Sequence, residues 1–326
     1  MLKLLQSIFG TEEPGNIPES LVREAIERAV EATDPWLRAV SGYRKKLRPA
    51  VLCAVKHAVA LVESLPPTVV LHPANYADDL RLKALFISSD EMKRVVAGDR
   101  VLGRFLDGPE GGAPLITTFL EMDKQEKVTL TENHSGDVVV RDVRQVTVTF
   151  DNYRFLDPAG DERETRRLLR RRAYDHMLAL ALRRLTGVKA EREGLEQRRE
   201  LLTAKLGLLE REEWGFDRAE PGGKSDMTEV EERIGELEAQ LGELGGDDRM
   251  LETYLEIVAG VLAHPKEQLW TRNETIFLGC LGVRRNAPAG DTAELRLTEI
   301  RNAEGLTMEA MLVSLPVEEL RELRQC

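Results

Sequence analysis

Residues 230–262, VEERIGELEAQLGELGGDDRMLETYLEIVAGVL, decide the fold of this chain. Apolar residues recur there in steps of four and three, which is the heptad spacing of a coiled coil. Ten positions follow the spacing without a slip, and all but one are apolar: Val230, Ile234, Leu237, Leu241, Leu244, Asp248, Leu251, Leu255, Val258 and Leu262. The stretch therefore predicts one long helical arm, which Gly245 and Gly246 soften locally because glycine is a weak helix former.

An earlier stretch repeats the same spacing and predicts a second arm. Its positions are Leu178, Leu185, Val188, Arg192, Leu195, Arg199, Leu202, Leu206 and Leu209. In an antiparallel hairpin, residues at one level have position numbers with a nearly constant sum. Leu195 with Leu244 and Leu202 with Leu237 both give 439. Half of that sum falls near residue 220, inside the helix-breaking sequence GFDRAEPGG, so the turn lies where the register requires it.

Charge supports the same pairing. Residues 163–213 hold 14 basic and 9 acidic side chains, a net of +5, whereas residues 226–262 hold 2 basic and 11 acidic side chains, a net of −9. A basic arm beside an acidic arm favours pairing within one chain. Arg192 and Asp248 are charged residues at core positions and fall at the same level, so we interpret them as a pair that fixes the register.

Two sets of strands flank the predicted hairpin. Alternating, β-branched sequences mark them at 115–122, 126–132 and 137–150, and again at 274–284, 292–301 and 305–314. Residues 18–63 show helical spacing. Within them, Asp34-Pro35 is expected to end one helix and start the next. The chain is therefore predicted to be an α+β protein, with a six-strand antiparallel sheet or small barrel and a coiled-coil hairpin inserted between its two three-strand sets.

The predicted domains are discontinuous. A helical region covers 1–110, a β domain combines 115–155 with 270–326, and the hairpin covers 162–264 with its tip at 214–225. The order strand, hairpin, strand is similar to the topology of the periplasmic adaptor proteins of efflux systems. The chain differs from that family in its large N-terminal helical part and in having no lipoyl-like motif.

Composition narrows the classes of function. The net charge of −11 argues against general nucleic-acid binding, which needs a basic surface. Three cysteines without a CxxC pair fit a reducing compartment. No apolar run is long enough for a transmembrane helix, and MLKLLQSIFG at the start does not resemble a secretory signal, so a cytoplasmic location is expected.

No catalytic constellation is found in the sequence. Phosphate-loop and dinucleotide-binding motifs are missing, and Asp175-His176 has no nucleophile of recognisable motif. Cys53 and His57 have a metal-compatible spacing but lack further ligands. The sequence therefore predicts a protein that is not an enzyme and that carries no metal or cofactor.

Two groups of residues are candidates for binding. The first is basic and could contact an anionic surface, or could pair with acids of the chain itself: Arg44, Lys45, Lys46, Arg48, Arg170 and Arg171. The second is aromatic, since Trp214 and Phe216 lie at the predicted hairpin tip. These two side chains could either staple the turn or contact a partner.

The leading functional hypothesis is a non-enzymatic scaffold or assembly protein that uses its coiled-coil arm for a protein partner or for self-association. The first alternative is a peripheral binder of anionic surfaces, membrane headgroups more readily than nucleic acid, through the basic N-terminal helix. The second alternative is an enzyme of unrecognised type. Oligomeric state and partner identity stay open at this point.

Overall fold

Helices come first along the chain, a β-hairpin follows, and a long helix separates that hairpin from the remaining strands. The computed structural model describes residues 17–109, 111–135, 138–212, 223–245 and 249–325, with their side chains except those of 131–143, 210–212, 223–226, 280 and 325. This combination of helices and one antiparallel sheet confirms the predicted α+β class.

The N-terminal part of the described chain is helical. Its helices are α1 Glu19–Thr33, α2 Tyr43–Glu63, α3 Leu80–Leu85, α4 Ser89–Gly98 and α5 Arg100–Leu106. A 3-10 helix, Pro35–Ala39, follows α1, and the Asp34 carboxylate accepts a hydrogen bond of 2.9 Å from the backbone N–H of Trp36 at its start. The restart predicted at Asp34-Pro35 is therefore confirmed, and its cause is an N-terminal cap.

The remaining helices are α6 Glu162–Glu212, α7 Gly223–Glu243, α8 Met250–Ala263, α9 Pro265–Gln268 and α10 Val317–Gln325. The local softening predicted at Gly245 and Gly246 is a full interruption of the second arm, because α7 ends at Glu243 and α8 begins at Met250. Gly245 has φ +94°, a left-handed conformation that glycine adopts easily and that terminates helices.

The strands are β1 Val69–Val70, β2 Leu115–Ser135, β3 Val138–Ala159, β4 Leu269–Leu278, β5 Arg284–Arg285, β6 Ala293–Asn302 and β7 Thr307–Pro316. The prediction of two separate strands at 115–122 and 126–132 is wrong, because both belong to the single strand β2. The polar residues there have partners across the β2–β3 pair, as in the hydrogen bond of 2.7 Å from Gln125 to Asp151. A register shift between Glu121 and Asp123 accommodates the irregularity as a bulge.

All seven strands belong to one sheet in the order β3-β2-β7-β6-β4-β5, with the short β1 parallel to β7. The central pairing joins β2 to β7, so strands from before and after the long helix are direct neighbours. The sheet is curled, as an isolated bridge between its two edges shows. The bridge links Thr147 of β3, at one end of the strand order, to Val283 beside β5, at the other end. The fold is thus closer to the predicted small barrel than to a flat sheet.

Each face of the curled sheet has its own apolar core. The inner face packs against α3, α4, α5 and α10 and includes these buried residues: Leu82, Met92, Leu102, Ile116, Met122, Ile276, Leu297, Val313 and Leu320. The outer face packs against the end of α2 and the beginning of α6, where Val62 and Leu169 contact Phe119 and Leu312. The two strand sets therefore share one core, as the sequence predicts.

Charged residues continue the inner face beyond its apolar part and form an ionic layer, defined here as Lys124, Glu126, Glu274, Arg284 and Glu309. The Lys124 Nζ lies 2.8 Å from Glu309 Oε1, 3.1 Å from Glu274 Oε2 and 3.7 Å from Glu126 Oε1. Arg284 lies 3.1 Å from Glu126 and 2.5 Å from Glu274. The layer joins strands β2, β7, β4 and β5 through side chains.

Burial and ion pairing act in opposite directions on the pKa values of Glu309 and Lys124 in this layer. Burial raises the pKa of Glu309, although the nearby ammonium of Lys124 acts in the opposite direction. Burial alone would lower the pKa of Lys124, but its bonds to Glu309 and Glu274 outweigh that and raise it. Lys124 is therefore held as a cation, and its ammonium offsets part of the cost of burying the Glu309 carboxylate.

The chain divides into two compact units, neither of which is continuous in sequence. The sheet unit contains Lys56–Ala173 and Lys266–Cys326, and the helical unit contains Asn16–Val55 and Tyr174–Pro265. Within the helical unit, the Tyr174 hydroxyl donates a hydrogen bond of 2.9 Å to the Ala25 carbonyl. Helix α1 thus packs on α6, and the helical unit combines N-terminal and central helices.

We expect Lys124→Met to lower the free energy of unfolding by about 3–5 kcal/mol near neutral pH, because Glu309 would remain buried without its cation. The double variant Lys124→Met/Glu309→Gln should recover most of that loss in urea unfolding. A carboxyl with a raised pKa in the folded state stabilises at low pH and loses that contribution as pH rises through the folded pKa. The deficit of Lys124→Met should therefore shrink as the solution is acidified, and a pH-independent deficit would contradict this account.

We expect Gly282→Ala to destabilise the protein by about 1–3 kcal/mol. Gly282 has φ +73°, and an added Cβ would lie 2.3 Å from the Val148 carbonyl oxygen, at the point where the ends of the sheet meet. Gly290→Ala is the matched control, since a Cβ there meets nothing within 4 Å. Thermal unfolding of both variants tests this, and equal melting temperatures would count against a tight closure at Gly282.

Candidate functional site

The two long helices of the helical unit pack antiparallel through leucines. Leu195 of α6 and Leu237 and Leu241 of α7 form a buried cluster, with Leu202 and Leu244 packed against it. These are the levels that the constant sum of 439 predicts. The contacts agree with that register, and they determine which sides of α6 and α7 remain exposed.

One exposed side contains a groove of about 490 Å³ along the seam. Its walls come from both helices and are formed by Arg198, Leu201, Leu202, Arg233, Glu236, Leu237 and Gln240. Leu201 is 74% exposed at the α6 edge, and Leu208, one heptad further along the helix, is 60% exposed. Two leucines so exposed on one helix face are unfavourable in water and mark this side as a candidate contact surface.

The exposed leucines belong to a longer series with a spacing of seven residues, the leucine–glycine stripe: Gly187, Gly194, Leu201 and Leu208. Residues seven apart lie on nearly the same side of an α-helix. A Cβ added at Gly187 or Gly194 would meet nothing within 4 Å. Each glycine costs a helix about 1 kcal/mol relative to alanine, and no contact within the described chain requires either one.

Charged side chains border the stripe at the same spacing. Glu191, Arg198 and Lys205 are exposed on α6 and follow the stripe positions by four residues. None of the three forms an ion pair with another residue of the described ranges. The face thus combines exposed apolar area, glycines with open space above them, and unpaired charges.

Arg192 lies at a buried position of α6, and its described contacts are with Glu196 and with the end of α7. Its Nε lies 2.8 Å from Glu196 Oε1, and its guanidinium donates a hydrogen bond to the Gly245 carbonyl. That carbonyl follows the last turn of α7, so Arg192 supplies a donor at a helix end where carbonyls lack partners. Asp248 lies outside the described residues, and the proposed Arg192–Asp248 pair stays a prediction. Gly245 in the sequence was the available signal for this helix end.

The basic residues of the N-terminal helices are mostly engaged by acids of the same unit. Arg44 lies 2.8 Å from Glu27, and Lys46 lies 3.0 Å from Glu252. Arg48 lies 2.8 Å from Glu19, and its hydrogen bond lowers the pKa of that carboxyl. Lys45 is exposed and makes no ion pair with the residues described here.

The arginines at the beginning of α6 are also engaged. The guanidinium of Arg170 lies 3.8 Å from Glu63, and burial lowers its pKa. Arg171 is half-buried and has an interaction partner. Of the six predicted basic residues, Arg44, Lys46, Arg48 and Arg170 therefore each lie within 4.0 Å of a carboxylate of their own unit.

Trp214 and Phe216, the predicted tip residues, lie outside the described residues, so their role stays a prediction. Over the ranges that the structure covers, no group of three or more His, Cys, Asp or Glu side chains could hold a metal ion. No described helix has both the length and the apolar character needed to cross a membrane. Comparison with protein-family models, curated proteins and solved structures gives no match.

We expect Arg192→Met to lower the free energy of unfolding of the helical unit by about 1–3 kcal/mol, because the buried Gly245 carbonyl loses its donor. Arg184→Met, an exposed change on the same helix, is the control. Urea unfolding followed by circular dichroism measures both variants. Equal stability of the two would show that Arg192 does not hold the end of α7.

Proposed function

We propose that this chain is a non-enzymatic assembly protein that self-associates through the helical hairpin formed by α6 and α7. The observation that carries the proposal is the exposure of Leu201 and Leu208, 74% and 60%. Leu201 lines the groove between the two helices, and Leu208 lies one heptad further along α6. Both side chains lie on one side of α6 and need a covering surface that the described chain does not provide.

Energetics favour a helical partner for this face. Burying a leucine side chain contributes about 1.5–3 kcal/mol, so two leucines per copy offset part of the cost of association. Glycines at stripe positions let a second helix approach closely, since nothing projects from them. A modest apolar area with charged borders suits a reversible assembly more than an obligate one.

The anionic-surface alternative has less support. Arg44, Lys46 and Arg48 already pair with carboxylates, which a phosphate or headgroup would have to displace. The proposal includes a reducing, cytoplasmic location, which the exposed free thiol of Cys53 supports.

We expect Leu201→Ser/Leu208→Ser to weaken self-association by at least about a hundredfold, because the apolar contact of both copies is lost together. Sedimentation equilibrium over a wide concentration range measures it. Leu306→Ser is the control, since Leu306 is also 60% exposed but lies in the sheet unit.

The melting temperature of the double-serine variant, taken at a concentration where the chain is monomeric, should stay close to that of the unaltered chain, because both leucines are exposed. The proposed function would be contradicted if the unaltered chain stayed monomeric over the whole concentration range. It would also be contradicted if the double-serine variant associated as strongly as the unaltered chain.

A further inference from the structure

We infer that the partner bound by the leucine–glycine stripe is the α6 helix of a second copy, running antiparallel, so that each leucine of one copy lies over a glycine of the other. This inference rests on the proposed function and specifies its geometry. It follows from the order of residues in the stripe, in which two glycines precede two leucines at equal spacing.

The steric argument uses the same arithmetic as the hairpin. In an antiparallel pair centred between residues 197 and 198, facing positions sum to 395, so Leu201 faces Gly194 of the second copy and Leu208 faces Gly187. Each leucine then enters a space where a Cβ would meet nothing within 4 Å. Alternating large and small residues across a contact is what close packing requires.

Other arrangements pack the stripe less well. A parallel pair places leucine on leucine and glycine on glycine, which leaves a gap at the glycine levels. An antiparallel pair centred between Leu201 and Leu208 sets the leucines against each other and leaves Gly187 and Gly194 without a large residue above them. Only the centre near 197 and 198 uses all four stripe positions.

The charges beside the stripe fit the same centre. Glu191 and Lys205 sum to 396, so each lies at the level of the other in the opposite copy, and the two-fold symmetry forms this pair twice. A parallel pair would instead bring Glu191 to Glu191 and Lys205 to Lys205. Arg198, near the axis, faces Arg198 of the second copy. The arrangement therefore has one like-charge contact and two opposite-charge contacts.

An interface of this kind is isologous, because the same patch is used on both copies. Its symmetry closes after two chains and leaves no stripe free to recruit a third. We therefore expect a dimer as the limiting species, not a filament.

The first test fills the glycine spaces. Gly194→Leu should weaken dimerisation at least tenfold in sedimentation equilibrium while leaving the helical circular dichroism unchanged or stronger, since leucine is the better helix former. Gly235→Leu is the control, because a Cβ at this α7 glycine also meets nothing within 4 Å. Unchanged dimerisation of Gly194→Leu would overturn the inference.

The second test maps the register in the full chain with Cys53, Cys280 and Cys326 replaced by serine. Gln197→Cys, close to the axis, should form a disulfide-linked dimer on mild oxidation. Ala190→Cys and Ala204→Cys should not do so alone, but should cross-link when the two variants are mixed, since their numbers sum to 394.

The outcomes separate this inference from the proposed function. Efficient cross-linking of Ala204→Cys with itself would support a centre between the leucines, and cross-linking of all three single variants would support a parallel pair. Either result overturns the register while the loss of association in Leu201→Ser/Leu208→Ser still upholds assembly through the stripe. A chain that never associates overturns both.

Discussion

Lys124 connects strands that the backbone ladder of the sheet does not join. Its ammonium lies 2.8 Å from Glu309 on β7 and 3.1 Å from Glu274 on β4, whereas backbone pairing joins β2 only to β3 and β7. A side chain can reach from β2 to β4 only if the sheet curls. The inner apolar core, and the helices α3 and α4 that cover it, depend on that curl. Pairing with Lys124 offsets much of the cost of removing the Glu309 carboxylate from water.

Periodicity predicted the hairpin because leucines at heptad spacing have few ways to become buried. Periodicity alone does not separate α7 from α8, and only Gly245 and Gly246 indicate a weak point there. Leu255, Val258 and Leu262 of α8 are buried, so the predicted heptad positions remain core positions after the helix has been interrupted. The φ of +94° at Gly245 is a backbone property that side-chain patterning does not register.

The strands and the candidate site show the same limit. Asp123, Lys124 and Gln125 separate the predicted strands 115–122 and 126–132 because three polar residues interrupt the alternation, but Lys124 is half-buried against partners from distant strands. The leucine–glycine stripe is visible in the sequence as a second heptad series. It was missed because glycine counts as a helix breaker in pattern reading, and its meaning appears only when the space around Gly187 and Gly194 is known. The basic residues were recognisable by charge, but their acidic partners lie far away in sequence, as Lys46 and Glu252 do.

The interruption after α7 also divides the hairpin into parts of unequal cooperativity. Before Gly245 in the chain, the core between α6 and α7 consists of a few leucines around Leu195 and Leu237. After it, α8 has Tyr254, Val258 and Leu262 buried. Segments with little buried apolar contact open at lower free energy than the rest of a protein. Amide protons of α7 should thus exchange with solvent by local opening while those of α8 remain protected, and a second chain bound along α6 would slow that exchange in α7 first.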